Sequence, residues 1–579
     1  MFSFKISKEI KTEVLIVGAG AAGIRTAIAL KDHGISPILV SKREFGDAHT
    51  WMAAGGINAS IGTLDNEDRW EIHAADTLRE GHFINDPKAV ESVCKNAVEA
   101  IKELEEWGCP FNKTKDGKIN QRFFGAQSFR RTCFVGDKTG RAILDTLVDQ
   151  AKKRDITCLD GVYIFKIVHK EGKVIGALGL DKKNQEVTFF HSSYVVLAAG
   201  GYASIYNKSS SRKDENIGDN IQLAYEAGAR LKDMEMVQFH PTGMVYPEEY
   251  LGKLVTEAVR GEGGHLLNKH KERFMTQYSP EMMELDARDE VARAIAKEIS
   301  QGNGTENQGV YLDISHKNED FIKSRLPKMY ERFKELDIDI SKEPMEVAPT
   351  SHYSMGGIEV DFENGATNVA GLYAVGEATS GLHGANRLGG NSLIETVVLG
   401  KLTGENIAKV FRSDTHIDYP SGLLESLENS LMKKNYLKRP QDMMDTVKDM
   451  MWKHAGILRN ESLLDEGIEK LEKIKSEFRV HSISGSELSF EEWWLNFDLI
   501  NIVISSELVL KAALIRKESR GAHYREDYPD TEDDYQLNLI CFKNKNNEIT
   551  IETKPSGKIS EGVQEALDEN HSLDYHQLE

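Results

Sequence analysis

The sequence predicts an α/β protein: a Rossmann-like dinucleotide-binding domain, interrupted by an inserted α+β unit and followed by a helical domain. Three observations carry this expectation. A short apolar run, Val14 to Val17, meets the glycine-rich segment Gly18-Ala19-Gly20-Ala21-Ala22-Gly23 and then a helical pattern. From about residue 235 to 350 the chain changes to polar helices and loops, before a glycine-rich apolar block returns at 351–404. Beyond that block, residues 420–480 and 489–518 carry the 3.6-residue apolar spacing of helices.

Each element has a local reason. After Val14–Val17, the apolar positions Ile24, Ala27, Ile28 and Leu30 mark a helix, and Ile38-Leu39-Val40 reads as the next parallel strand. Glycines at 18, 20 and 23 permit a tight turn, close approach of a pyrophosphate and close helix packing, while the helix N-terminus favours negative charge. The acidic ribose partner usual at the end of the second strand is missing; Ser41 and Lys42 stand there. Helices are expected over Ala89 to Trp107 and after Asp137-Lys138-Thr139-Gly140. Tyr194 to Gly201 reads as a buried strand ending in small residues, where backbone can approach a ligand. In the helical region Leu427, Leu431, Met443, Met450 and Leu458 are the expected core contacts, and the polar stretch from about 553 is expected to fray. The corresponding division is 1–235 and 351–415 for the dinucleotide domain, 236–350 for the insert, 416–545 for the helical domain and 546–579 for a polar tail.

Composition narrows the function. The 579 residues are enough for several packed units, and 40% hydrophobic with 28% charged residues describes a globular chain. A net charge of −20 argues against nucleic acid as a main partner, although a local basic pocket can still take an anionic substrate. The five cysteines, Cys94, Cys109, Cys133, Cys158 and Cys541, are odd in number and scattered, which suggests a reducing compartment and no iron–sulfur, zinc or disulfide framework. The N-terminus lacks the apolar core of a signal peptide. The most apolar run, Leu499 to Ile515, carries Asn501, Glu507 and Lys511 and is not expected to span a membrane.

Five constellations carry candidate chemistry: Gln238 to Gly243 (QFHPTG), Thr256 to Gly264 (TEAVRGEGG), Ala287-Arg288-Asp289, His352 to Gly357 (HYSMGG), and Glu377 with the segment His383 to Leu393 (HGANRLGGNSL). Histidines and arginines pressed against glycines suggest cationic and backbone donors converging on an anion. Taken singly, most have plainer readings. His240 could be a core histidine bonded to backbone, Arg288-Asp289 an intrahelical or surface ion pair, His352 a turn cap, and Glu257 with Arg260 a helix-face pair. Arg387 in a glycine-rich loop has no obvious packing role.

Together with GAGAAG, HT(x)4GGI, RTC(x)3D(x)TG, ERFM, GLYAVGEATSGLHGANRLGGNSL and the late block Glu518 to Pro529, these segments give a chain that resembles the flavoprotein subunit of succinate dehydrogenase and fumarate reductase over roughly residues 10–540. The resemblance implies an FAD-binding domain and a capping domain that clamp a dicarboxylate between them. It implies that His240 and Thr256 hold one carboxylate and that His352 and Arg387 hold the other. Such a clamp leaves the central C–C bond one permitted position over the flavin. From titration chemistry alone the proton would be assigned to His240 or His352; the resemblance instead implies Arg288, relayed through Glu257 and Arg260. FAD contacts are implied at Gly18, Gly20, Ala21, Gly23, Ser41, Lys42, Thr50, Gly55, Gly56, Asp219, Glu377, Ser392 and Leu393, with covalent attachment through His49.

The expected activity is succinate oxidation to fumarate, with fumarate reduction as the alternative and L-aspartate oxidase or an inactive flavin-binding scaffold less favoured. The first expected partner is an iron–sulfur subunit. Through it the chain would reach membrane-anchor subunits, which would place it on the cytoplasmic face of a membrane. Two departures from the family pattern lie beside His49. Asp47 and Ala48 precede it where a basic-Ser pair is common, and Ala54 stands where a glutamine is often found. A negative Asp47 near the flavin would disfavour the reduced anionic form.

Overall fold

A computed structural model describes residues 6–413, 422, 439–479 and 489–571. At its centre is a five-stranded sheet in the order Leu372–Ala374, Val195–Leu197, Val14–Val17, Pro37–Ser41, Thr157–Asp160. All neighbours are parallel. Val14 to Val17 and Val195 to Leu197 are buried on both faces, as a parallel sheet covered by helices requires. Helix Ala21–Asp32 follows the first strand and packs lengthwise on helix Asn391–Val410. The contact is close because Gly400 and Gly404 leave room: a Cβ on Gly404 would lie 2.6 Å from the Ala29 Cβ. Neither helix has an acidic residue in its first turn, so both N-termini are left to receive negative charge. Helix Pro87–Glu106 covers the same region, started by Asp86, whose carboxylate accepts from the Lys88 N–H, and by proline at its first position.

A second sheet, in the order Ile6–Lys11, Glu186–His191, Lys173–Asp181, Val162–Lys170, sits beside the first. The insert is an antiparallel sheet in the order Val237–Met244, Met345–Ser354, Val310–Asp313, His265–Leu267, against which helix Arg288–Ser300 packs. It has its own hydrophobic core, including Val259, Phe274, Ile295, Leu312 and Val347.

Helices Pro440–Ala455, Glu461–Arg479 and Phe490–Ile515 pack on one another. The last begins with a capping box, Ser489 with Glu492. It is a core helix: Asn501 donates to Asp219 and Tyr163, and Glu507 holds Lys475 and Lys511. No helix among the described residues is long and apolar enough to cross a membrane. Met443 and Met450 are buried as expected, whereas Leu427 and Leu431 lie outside the described residues. Leu458 departs from the expected helix. Gly456 ends the helix before it, Asn460 accepts from the Leu463 N–H to start the next, and Leu458 lies half-buried in a short strand paired with Tyr524–Arg525.

The expectation of a frayed end from 553 is overturned for residues 553–571, while 572–579 lie outside the described residues. Ile549–Pro555 pairs along its length with Leu537–Lys543, and helix Glu561–Asp568 buries Val563 and Ala566 where it packs on Trp70–Glu80. The residues are polar because each element is amphipathic, with one apolar side turned inward.

Candidate active site

Long-range pairing seats the candidate residues around one pocket. His240 lies on strand Val237–Met244 and His352 on its neighbour Met345–Ser354, and their rings meet edge to face at 5.5 Å. The Thr242 backbone N–H donates to His240 Nδ1 at 3.2 Å, which puts the ring proton on Nε2 as a donor. This is the backbone-bonded histidine of the plainer reading, now with its other nitrogen available. His352 Nδ1 lies 2.9 Å from the Ser210 hydroxyl. Thr242 also bonds Val255 in both directions, which sets Thr256 and Glu257 beside His240; the Thr256 hydroxyl is 3.4 Å from the Ala258 N–H.

Arg288 is the first residue of its helix, where the helix dipole disfavours a cation. Its Nε donates to Glu257 Oε2 at 3.0 Å and its Nη1 lies 3.4 Å from Gln238 Oε1. Asp289 turns away to Arg293 and Asn386, so the intrahelical pair of the plainer reading is not formed by Arg288. Arg260 stands 3.7 Å from the same Glu257 oxygen and donates to the Glu284 carbonyl at 2.5 Å. Burial alone would raise Glu257, but Arg288 and Arg260 outweigh it and hold its carboxyl down at about 2. Arg387 has no ion pair among the described residues. It donates to the Ser392 hydroxyl at 3.1 Å, covers the Tyr353 ring at 4.4 Å, and leaves Nε without a partner. Burial and then Arg288 lower it to about 10.

Burial first, and then the surrounding arginines, push both His240 and His352 well below the usual histidine range. Both rings favour the neutral form, which argues against the histidine to which titration chemistry alone would assign the proton. The pocket therefore presents neutral imidazole donors and guanidinium groups that one carboxylate only partly offsets.

At the dinucleotide end the fit to FAD can be tested on the backbone itself. Gly18 has φ +113, and a Cβ there would lie 2.3 Å from the Ala198 carbonyl oxygen; one on Gly23 would lie 2.0 Å from that of Gly18. By contrast a Cβ on Gly20 meets nothing nearer than the Thr50 hydroxyl at 3.4 Å, leaving the turn open on that side. Ala21 N–H donates to the Thr50 hydroxyl at 3.2 Å, which ties the His49 loop to the helix start. Gly55 lies against Phe124 and Gly56 against Thr132. Glu377 accepts from Ser354, and Leu393 is buried in the helix that begins beside Ser392. Lys42 and Asp219, both expected on the cofactor, hold each other at 2.8 Å; Lys42 also bonds Asp498 at 2.9 Å and lies over the Tyr163 ring. Ser41 ends the adjoining strand. A glycine cradle over two uncompensated helix N-termini suits a pyrophosphate-bearing cofactor.

His49 Nδ1 lies 3.5 Å from Glu215 Oε2, an ion-pair distance rather than a well-formed hydrogen bond. Burial would lower its pKa, but Glu215 outweighs that and raises it. The expectation that Asp47 adds a free negative charge is overturned. Asp47 sits between Arg43, at 3.1 Å, and Arg212, and Arg212 in turn binds Glu215. Its carboxylate is therefore paired, though it shares Arg43 and Arg212 with Asp214 and Glu215.

Several contributors were not among the residues singled out. Gln238 and Asn386 were inside the motifs but given no role. The Gln238 amide donates to Asn386 at 2.6 Å and to the Arg387 carbonyl at 3.1 Å while its oxygen faces Arg288. Its position two residues before His240 on one strand is a signal that strand alternation offers. Ser210, Arg212 and Glu215, in the polar loop Ser209 to Asn216, have no such signal.

A glycine cradle for a dinucleotide, joined to a cation-lined pocket too small in negative charge, defines a flavin-dependent oxidoreductase of small anions. Comparison with known proteins sharpens this. Residues 13–393 match the family described as FAD binding domain, and residues 444–563 match fumarate reductase flavoprotein C-term. The chain is 43% identical to a fumarate reductase (CoM/CoB) subunit of Methanothermobacter marburgensis, covering 91% of this chain and 96% of that one. It is 35% identical to the succinate dehydrogenase flavoprotein subunit of Rickettsia conorii, over 94% and 95% of the two chains. A solved structure of Mycobacterium smegmatis Sdh1 in complex with UQ1 superposes with a TM-score of 0.88 at 35% identity, covering 99% of this chain and 100% of the other. The chain belongs to the succinate dehydrogenase and fumarate reductase flavoprotein family, FAD-dependent oxidoreductases acting on CH–CH bonds.

Proposed function

We propose that the chain interconverts fumarate and succinate, with fumarate reduction as the working direction, a reading supported by its similarity to the fumarate reductase (CoM/CoB) subunit. The observation that carries this is the set of unspent donors in the pocket: Arg260 and Arg387 are buried with guanidinium nitrogens that make no hydrogen bond, beside two histidines held toward the neutral form. A dicarboxylate supplies the missing acceptors. His240 and Thr256 take one carboxylate, His352 and Arg387 the other, and the central carbons are held between them. FAD held by the glycine cradle supplies the hydride chemistry.

Arg288 is the proton donor in this reading. It is charged, placed at a helix N-terminus that disfavours its charge, and paired with Glu257, which with Arg260 returns a proton to it. The neutral guanidine left when Arg288 gives up its proton is the same species that would take one from succinate, so this residue serves both directions. Succinate oxidation is the second reading, favoured by the succinate dehydrogenase subunits among the relatives. His49 is the site of covalent FAD attachment, its orientation set by Glu215. An iron–sulfur subunit exchanges electrons with the flavin and, through membrane-anchor subunits, positions the chain at the cytoplasmic face of a membrane. The electron partner is the point on which the relatives differ, one named for CoM/CoB and another seen with UQ1.

Purified flavin-loaded protein should oxidise a reduced viologen dye in the presence of fumarate and reduce a dye, more slowly, with succinate. Turnover with neither dicarboxylate would overturn the reading. Acid denaturation that leaves yellow flavin on the polypeptide tests the His49 bond separately.

A further inference from the structure

We propose that the chain carries a second anion site, distinct from the dicarboxylate pocket, which takes a compact, multiply charged oxyanion. It is a cavity of about 310 Å³ between the start of helix Pro87–Glu106 and the sheet formed by Leu231–Lys232, Leu537–Lys543 and Ile549–Pro555. Lys88, Lys232, Lys554 and Lys558 line it, with Asp86 and Asn538.

Lys232 is the centre of the argument. It is 5% exposed, yet no hydrogen bond or ion pair holds its ammonium among the described residues. Its backbone is fixed in mid-sheet, opposite Gly357 on one side and Ile540 on the other. The side chain therefore cannot leave the wall by a small backbone movement. Lys42, the comparable half-hidden lysine, is held by two carboxylates. Its ammonium reaches the cavity, and the carboxylate it influences inside the chain, Asp233, is itself bonded by Asn538 and the Leu539 N–H, which leaves the cavity side open to an anion.

The other charges on the wall do not supply an acceptor for Lys232. Asp86 turns its carboxylate to the Lys88 N–H as a helix cap. Lys88 and Lys554 already have partners, the exposed Glu363 at 3.4 Å and the half-buried Glu359 at 2.7 Å. Lys558 has no ion pair among the described residues. The Asn538 amide is already spent on the Ile84 carbonyl and Asp233, each at 2.7 Å, so lysines carry the recognition. On a chain of net charge −20 this cluster is not the by-product of a basic surface. Lysine is a point charge without a preferred plane and accepts phosphoryl and carboxylate oxygens alike. The volume lies at the small end of ligand pockets, enough for a diphosphate or a tricarboxylate.

The test titrates the full flavin-loaded chain by calorimetry with pyrophosphate and, separately, with citrate, in saturating succinate to fill the dicarboxylate pocket. One-to-one binding of either anion is expected, weakened about tenfold or more in Lys232→Gln. The tighter anion assigns the phosphoryl or the polycarboxylate source. Lys558→Gln, at an exposed position, should weaken binding as well and serves if Lys232→Gln does not fold. Dicarboxylate turnover should be unchanged in both variants. The proposal is overturned if neither anion binds, if succinate displaces the bound anion, or if Lys558→Gln and a folded Lys232→Gln bind as the parent does.

Discussion

Buried arginines in two regions of this molecule are used in opposite ways. In the segment after the long core helix, Arg516 and Arg525 are fully buried and their donors are spent. Arg516 binds Glu235 at 2.7 Å, Glu518 at 3.0 Å and the carbonyls of Tyr535 and Leu537. Arg525 binds Asp527 through two nitrogens and the Ala513 carbonyl through a third. Arg520 is closed in the same way by Glu518 and two carbonyls. In the pocket, Arg260 and Arg387 are just as hidden but keep nitrogens that make no hydrogen bond. An unmade buried hydrogen bond costs about 1–3 kcal/mol, so the second arrangement persists only where something else fills it. In these two regions the saturated guanidinium groups sit in the frame and the unsaturated ones in the pocket, although Arg459 of the frame also keeps one nitrogen unbonded.

The comparison can be broken by mutation. The largest effect is expected at Arg288. Arg288→Ala should lower fumarate turnover about 10³–10⁴-fold with flavin still bound; stopped-flow rates near the parent's would end its assignment as proton donor. Next, Arg516→Met should cost about 3–5 kcal/mol, because it leaves Glu235 buried without its cation. Denaturant unfolding of the holoenzyme measures this, and an unchanged midpoint would show that saturation does not mark a frame residue.

Arg387→Met separates the two classes most directly. It should raise KM for fumarate about 100-fold while leaving the unfolding midpoint level or higher, since no carboxylate in the chain loses a partner. A loss of stability equal to that of Arg516→Met would contradict the distinction.

The smallest effect concerns Glu80, behind the pocket. Its Oε1 accepts from the Asn386 amide, which also bridges to Asp289. Burial first, and then Asp289, push its carboxyl up to about 8. The folded chain keeps this proton up to that pH, whereas the unfolded chain loses it in the ordinary carboxylate range near ~4.3. Stability therefore falls as pH rises between those values. Glu80→Gln should remove that loss, raising the thermal midpoint by about 1–2 °C at pH 8.5 with little change at pH 4. Equal shifts at both pH values would show that the effect is not a titration.

Much of this was legible in the sequence where one short segment contains both cause and effect. The strand, glycine turn and helix from Val14 to Asp32 are local events, and the glycines could be assigned to a pyrophosphate from spacing alone. The same holds for the histidines and arginines of the pocket, whose motifs announce their chemistry even though they come from five separate segments. The polar stretch after 553 was misjudged because its order depends on surfaces far away, the strand at Leu537–Lys543 and the helix at Trp70–Glu80. Asp47 was misjudged for a related reason: one of its two cations, Arg212, is 165 residues distant.

The sequence by itself determined which residue types were available and the local backbone that carries them: the βαβ start, the glycine cradle, His49, and the cations and imidazoles of the pocket. Only the tertiary structure decided which of their donors are already spent. Arg516 and Arg387 are the same residue in one dimension. One is closed by Glu235, 281 residues away, and the other meets no carboxylate at all among the described residues. That difference is a sum over contacts between distant segments, each made possible by how the sheets and helices pack, and no local pattern encodes it.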